Sequence, residues 1–220
     1  MKAYTITLMD FRPSWDLGER CIASAAEHGI RAEHFDAVTP ADDPVALMAA
    51  RQFPVSGDGG WPHPFASSVP YSRWLPVLSC FLSHAGLWLR CVARDEPLLI
   101  MEHDALVTAP LPELPTDGPL ACNVAKPSFG EFDTPPDGHG PLVSKPYFGG
   151  AHGYIVNPTG AAKLIAAAQQ STAPTDVFLS TERFPWLTEY HPWPIVCDDS
   201  FSTIQLERGC RAKHQDVKPC

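Results

Sequence analysis

From Leu75 to Val92 the chain is apolar at nearly every helical position, through Leu75, Val77, Leu78, Phe81, Leu82, Ala85, Leu87, Trp88 and Leu89. A helix that is apolar nearly all round is buried on most sides. Ser83 and His84 are the polar exceptions in its middle, and Arg90, Arg94 and Asp95 mark its end. Directly after it, Pro97 to Met101 is uncharged, with Leu98, Leu99, Ile100 and Met101 in succession. A short continuous apolar run of this kind fits a strand covered on both faces, as in parallel sheets. It stops at Glu102, His103 and Asp104, and apolar character resumes at Ala105.

Other segments carry similar signals. Ala3 to Leu8 alternates Tyr4, Ile6 and Leu8 with Thr5 and Thr7, which predicts a first strand. Ser14 or Asp16 is expected to cap a helix running to about His28, with Leu17, Cys21, Ile22 and Ala25 on one stripe and Gly29 ending it. Arg31 to Val38 reads as a second strand, so the opening is a βαβ unit with a right-handed crossover. Residues 39–73 form a surface excursion with one short helix, Pro44 to Gln52; its aromatics Phe53, Trp61, Phe65 and Tyr71 either pack on the sheet or line a ligand. Leu120 to Val124 and Gly150 to Val156 read as strands, and 126–148 as a Pro/Gly-rich loop. Asn157 is a natural N-cap with Pro158 at the first helical position. Thr175 to Leu179 opens another short helix, and Pro194 to Cys197 is strand-like, with Asp198 and Asp199 at its end. The order predicts an α/β fold in one domain: a nucleotide-binding part over about 1–125, an acceptor-side part over about 126–205, and a short C-terminal tail.

Composition narrows the function. Apolar residues are 45% of the 220, enough for a core, and the net charge is −9. The only locally basic stretch is the tail, with Arg208, Arg211, Lys213 and Lys218, which argues against a general nucleic-acid-binding surface. Seven cysteines, an odd count with no CxxC pair, point to a reducing compartment. The polar N-terminus lacks a signal-peptide core, and no apolar run reaches the roughly 18 residues of a membrane span. A cytoplasmic protein without a transmembrane segment is expected.

The candidate chemistry lies at the end of the 97–101 strand. Ligands of open α/β sheets bind beyond the carboxyl ends of strands. Two carboxylates one residue apart at such an end, Glu102 and Asp104, can share a divalent cation that in turn holds a diphosphate. The plainer alternative is that the pair only begins a solvated loop.

The ordered segments resemble glycosyltransferase family 25, the lipooligosaccharide and collagen galactosyltransferase group. The resemblance runs over roughly 3–205. It is carried by Met9-Asp10-Phe11-Arg12, Phe35-Asp36-Ala37-Val38, Leu78-Ser79-Cys80-Phe81-Leu82-Ser83-His84 with Leu87-Trp88, and Leu99-Ile100-Met101-Glu102-His103-Asp104-Ala105. Gly150-Ala151-His152-Gly153-Tyr154-Ile155-Val156, Gly160-Ala161-Ala162-Lys163-Leu164, Pro174-Thr175-Asp176-Val177 and Asp199-Ser200-Phe201-Ser202-Thr203-Ile204 complete the series. The family motif usually reads Glu-Asp-Asp; His103 replaces its middle acid, which softens the site toward later transition metals. The family's usual Asn-Leu-Asp-Arg opening is also missing.

The resemblance implies a GT-A-like fold, a mostly parallel sheet flanked by helices, and an inverting, metal-assisted transfer from a nucleoside-diphosphate sugar, a UDP-sugar first, to an acceptor hydroxyl. A glycan is the expected acceptor ahead of a hydroxylated base in DNA. The cation would be manganese, or magnesium, on Glu102 and Asp104, with His152 or His191 completing the shell. Asp10, Arg12, Ser83, His84, Glu102 and His103 would bind the donor. Asp176 is the first candidate for the catalytic base, ahead of Asp199 and Asp198; the alternative for Asp176 is a helix N-cap. A non-catalytic sugar- or nucleotide-binding relative is the competing reading.

Overall fold

A computed structural model describes residues 1–54, 71–128 and 130–198, with residues 71–74 as helical backbone only. The opening unit is β1 (Lys2–Thr7), α1 (Arg12–Glu27) and β2 (Ala32–Asp36), with β1 and β2 parallel. α1 starts earlier than its polar residues predict. Phe11 is the N-cap and makes no side-chain capping hydrogen bond, Pro13 occupies the first turn, and Asp16 is paired with Arg12 at 2.8 Å. Ser14 is buried, and its Oγ accepts the Leu8 N–H at 3.0 Å, so it ties the helix to the end of β1.

A 3₁₀ turn (Pro40–Asp42) and α2 (Pro44–Ala50) lead to α3 (Tyr71–Arg94). Phe81, Leu82, Ala85, Leu87 and Trp88 of α3 are fully buried. Phe53, from the excursion's start, packs edge-on against Phe81. Trp61 and Phe65 lie outside the described residues. Among those described, the Leu75–Arg94 stretch alone is long and apolar enough to cross a membrane, and it is built into the core.

β3 (Leu98–Glu102) follows and is buried on both faces up to Met101. β5 (Ala121–Asn123), β6 (Gly138–Pro141), β7 (Gly153–Val156) and β8 (Thr188–His191) complete a seven-stranded sheet of order β2-β1-β3-β7-β5-β8-β6. β2, β1, β3, β5 and β8 run one way, and β7 and β6 oppose them, so the sheet is mostly parallel in direction. α4 (Pro158–Ala168) packs against α3, and its cap is the expected one: Asn157 Oδ1 accepts from Gly160 N–H at 2.7 Å and Leu120 N–H at 3.0 Å. α5 (Thr175–Phe178) is a single turn. β4 (Ala105–Val107) leaves the main sheet and pairs antiparallel with β9 (Ile195–Cys197).

The 126–148 segment is more ordered than a Pro/Gly-rich loop. β6 lies on the sheet edge, and behind it a buried carboxylate clamps the chain. Glu189 on β8 accepts the Val143 and Ser144 N–H groups, both at 2.7 Å, and the Ser144 hydroxyl at 2.6 Å. Glu189→Ala strips all three donors of their acceptor, and a buried unsatisfied donor costs about 1–3 kcal/mol. The expected loss is about 3 kcal/mol in a denaturant melt, with Glu189→Gln losing less.

Candidate active site

β1 and β3 are parallel, with Ile6 opposite Glu102, so the chain ends that follow them open on the same edge of the sheet. Glu102 closes β3 and is held from two sides. Its Oε1 lies 3.3 Å from His84 Nε2 and accepts from the Cys80 thiol at 3.7 Å; its Oε2 lies 3.3 Å from His152 Nδ1. His84 is fully buried. Trp88 Nε1–H donates to the Tyr154 oxygen at 2.8 Å, which leaves the tyrosine proton for His84 Nδ1 at 3.0 Å. That assigns the Nε2–H tautomer and aims it at Glu102. Burial alone would raise the Glu102 pKa, but the bonds from His152 and His84 outweigh it and hold the carboxyl well below its ordinary range.

Two residues on, in the tight turn between β3 and β4, Asp104 is almost fully buried. Its Oδ2 accepts from the Cys197 thiol at 3.3 Å. Its Oδ1 has no hydrogen-bond partner among the described residues and lies 3.4 Å from His152 Nδ1. One ring nitrogen therefore marks the point on which both carboxylates converge. Burial works against charging His152, yet Asp104 and Glu102 raise its pKa well above the usual histidine value. β7 delivers this residue: Glu102 N–H donates to the His152 carbonyl at 3.0 Å. The ring's other face is fixed by Ser128 Oγ, 2.8 Å from Nε2.

Gly150, at φ +83°, makes room for that arrangement, since a Cβ there would collide with His152 Nε2 and Ser128 Oγ. Gly150→Ala is expected to displace His152 and to weaken divalent-cation binding by about tenfold or more, as loss of the support of a metal-ligating histidine typically does. Stability should also fall, by at least the roughly 1–2 kcal/mol of a strained φ, because the buried His152 and Ser128 must move. A cation titration beside a thermal melt separates the two effects.

Asp176 sits in the first turn of α5 but is not its cap, which is Pro174; Asp176 Oδ1 accepts the Val177 N–H at 2.9 Å. Thr175 Oγ1 lies 3.9 Å from Cys80 Sγ, which places α5 beside the Glu102 cluster. Burial, and then the nearby Glu102 charge, push the Asp176 pKa up. Lys145 was not singled out by the sequence. It is buried, donates to the Ser128 carbonyl at 2.8 Å, and sits within the field of Asp176; burial lowers its pKa.

Of the remaining candidates, some share this edge of the sheet and others are bonded away from it. Asp10 and Arg12 are exposed just after β1, on the same sheet edge. Ser83 is fully buried and holds backbone: its hydroxyl donates to Ser79 O and accepts from Val38 N–H, each at 2.9 Å. His103 occupies the turn and is not in either group of converging ligand atoms, Cys80/His84/Glu102 or Asp104/His152/Cys197. His191 pairs with Asp137 at 2.8 Å, so of the two histidines considered for the metal, His152 is the one at the acids. Asp198 is paired with Arg20, and Asp199 lies outside the described residues. Ligand atoms lie within 4.8 Å of one another in two groups, Cys80/His84/Glu102 and Asp104/His152/Cys197, and His152 Nδ1, near oxygens of both Glu102 and Asp104, links them. O, N and S atoms of this kind suit a divalent cation of the manganese-to-zinc series. Asp104 Oδ1 is the buried acceptor that such an ion would satisfy.

Residues 19–115 match the family model described as Glycosyltransferase family 25 (LPS biosynthesis protein). The match contains Cys80, Ser83, His84, Glu102, His103 and Asp104, and ends before His152 and Asp176. No curated protein matches the chain.

Proposed function

We propose, for a chain whose residues 19–115 match the glycosyltransferase family 25 model, a metal-assisted transfer of a sugar from a nucleoside diphosphate to an acceptor hydroxyl. The carrying observation is the convergence of Glu102 Oε2 and Asp104 Oδ1 on one point, 3.3 and 3.4 Å from His152 Nδ1, at the carboxyl end of β3. Glu102, Asp104 and His152 would hold the cation, manganese first and magnesium second, and the ion would offset the charge of the departing diphosphate. His84 and Ser128 keep the two sides of this set in place. Asp10 and Arg12 are proposed to meet the nucleotide, a UDP-sugar first, and His103 to face its phosphates from the turn. Asp176 is the proposed base. Its raised pKa brings its proton affinity nearer to neutrality, where a general base works best.

The acceptor is proposed to lie over residues 126–205, a glycan ahead of DNA, since an acidic chain offers little to a phosphate backbone. Five free cysteines among the described residues support a reducing, cytoplasmic setting. The family match carries no stereochemical course, so the inversion implied by resemblance is decided by the product. A single base at Asp176 with no nucleophile behind the sugar gives inversion, and a covalent or front-face route gives retention. The anomeric proton coupling of the first-formed product reads this directly. The test of the reaction is sugar transfer from nucleotide sugars with manganese, magnesium or chelator. Donor turnover under no metal condition, despite binding, would favour the non-catalytic relative.

A further inference from the structure

We propose that Cys80, His84 and Glu102 form a site for a thiophilic divalent cation, zinc first, on the inner side of the carboxylate pair. Cys80 and His84 are one helical turn apart on α3 and so present the same face. Both approach a single oxygen, Glu102 Oε1, at 3.7 Å from Cys80 Sγ and 3.3 Å from His84 Nε2. All three ligand atoms lie within 4.8 Å of one another. With zinc bonds of about 2.0–2.1 Å to N and O and about 2.3 Å to S, a tetrahedron has an O–N edge of about 3.4 Å and an O–S edge of about 3.6 Å. The two edges that meet at Glu102 Oε1, 3.3 and 3.7 Å, lie close to these lengths, so little movement is needed once the thiol and Nε2 hydrogens are displaced.

The surroundings point the same way. A metal-binding histidine is normally fixed through its other ring nitrogen. Here Nδ1 lies 3.0 Å from Tyr154 OH, itself anchored by Trp88 at 2.8 Å. On binding, the hydrogen of the neutral His84 ring changes from Nε2 to Nδ1 and is donated to the tyrosine oxygen, which also accepts from Trp88, and the Tyr154 O–H rotates away from Nδ1. The Cys80 S–H becomes thiolate and its proton leaves to the buffer. Cys80 as a residue is partly exposed, and three protein ligands leave a tetrahedral ion a fourth position for water. The second trio, Asp104, His152 and Cys197, is less apt: Cys197 faces Oδ2 while His152 faces Oδ1, so its contacts are divided between two oxygens.

Because Glu102 belongs to both sets, zinc is expected to compete with manganese; that consequence rests on the proposed function, and the site itself does not. The test is a cobalt(II) titration of the full chain without donor or manganese. A thiolate-to-cobalt charge-transfer band should grow to one equivalent and vanish on adding zinc. It should be lost in Cys80→Ser and Cys80→Ala and kept in Cys197→Ser, all three checked for folding by circular dichroism. Zinc affinity from chelator competition should fall at least tenfold in the two Cys80 variants. No band in the wild type overturns the proposal, as does a band that survives both Cys80 substitutions. Neither result bears on sugar transfer, which has its own assay.

Discussion

Asp104→Asn is expected to reduce sugar transfer by at least about a thousandfold, because a bound metal supplies several kcal/mol of charge stabilisation. The fold should survive. Asn keeps the shape, still accepts from the Cys197 thiol, and leaves the Asp198 N–H bond to the residue-104 carbonyl untouched. What disappears is one of the two carboxylate charges beside His152 Nδ1, which the proposed cation would need. Manganese affinity should fall with the rate, and raising manganese should recover part of it. A variant that folds and transfers at the wild-type rate would remove Asp104 from the site.

The second large effect is expected at Asp176. Asp176→Asn should lower the turnover by about 10²–10⁴, the usual contribution of a positioned general base, with little change in donor binding. The pH profile distinguishes this from simple misfolding. As the proposed base Asp176 would act only when ionised, and burial, with the Glu102 charge, raises its pKa. The rate should therefore decline as pH falls through a value above the ordinary aspartate range near 3.9. That acid limb should be absent from the residual activity of Asp176→Asn. An acid limb unchanged in the variant would assign the titration, and the base, to another group.

The site was legible where chemistry interrupts an apolar run. Leu98 to Met101 announces a covered strand, and the abrupt turn to Glu102 marks its carboxyl end. Asn157 with Pro158 announced the start of α4 in the same direct way. The direction of β7 was not legible, since Gly-Tyr-Ile-Val carries no mark of which way it runs. Yet it is that antiparallel pairing that places His152 opposite Glu102. β6 escaped notice because Gly138-His139-Gly140-Pro141 contains no good strand former. It is an edge strand, and its neighbouring chain is fixed by Glu189, a tertiary contact. Ser83 and His84 share one polar break in the helix but point to different tasks, the serine to backbone and the histidine to Glu102. Only the helix's placement against β3 separates them.

The most direct measurement is a thermal-shift titration with UDP, and with other nucleoside diphosphates, each in manganese, magnesium or chelator. A ligand that binds only the folded chain raises the melting temperature by mass action. The predicted result is a rise with one nucleotide class that needs the metal and is lost in Asp104→Asn. A nucleotide-induced rise of equal size in chelator and in Asp104→Asn would contradict a cation held between Glu102 and Asp104.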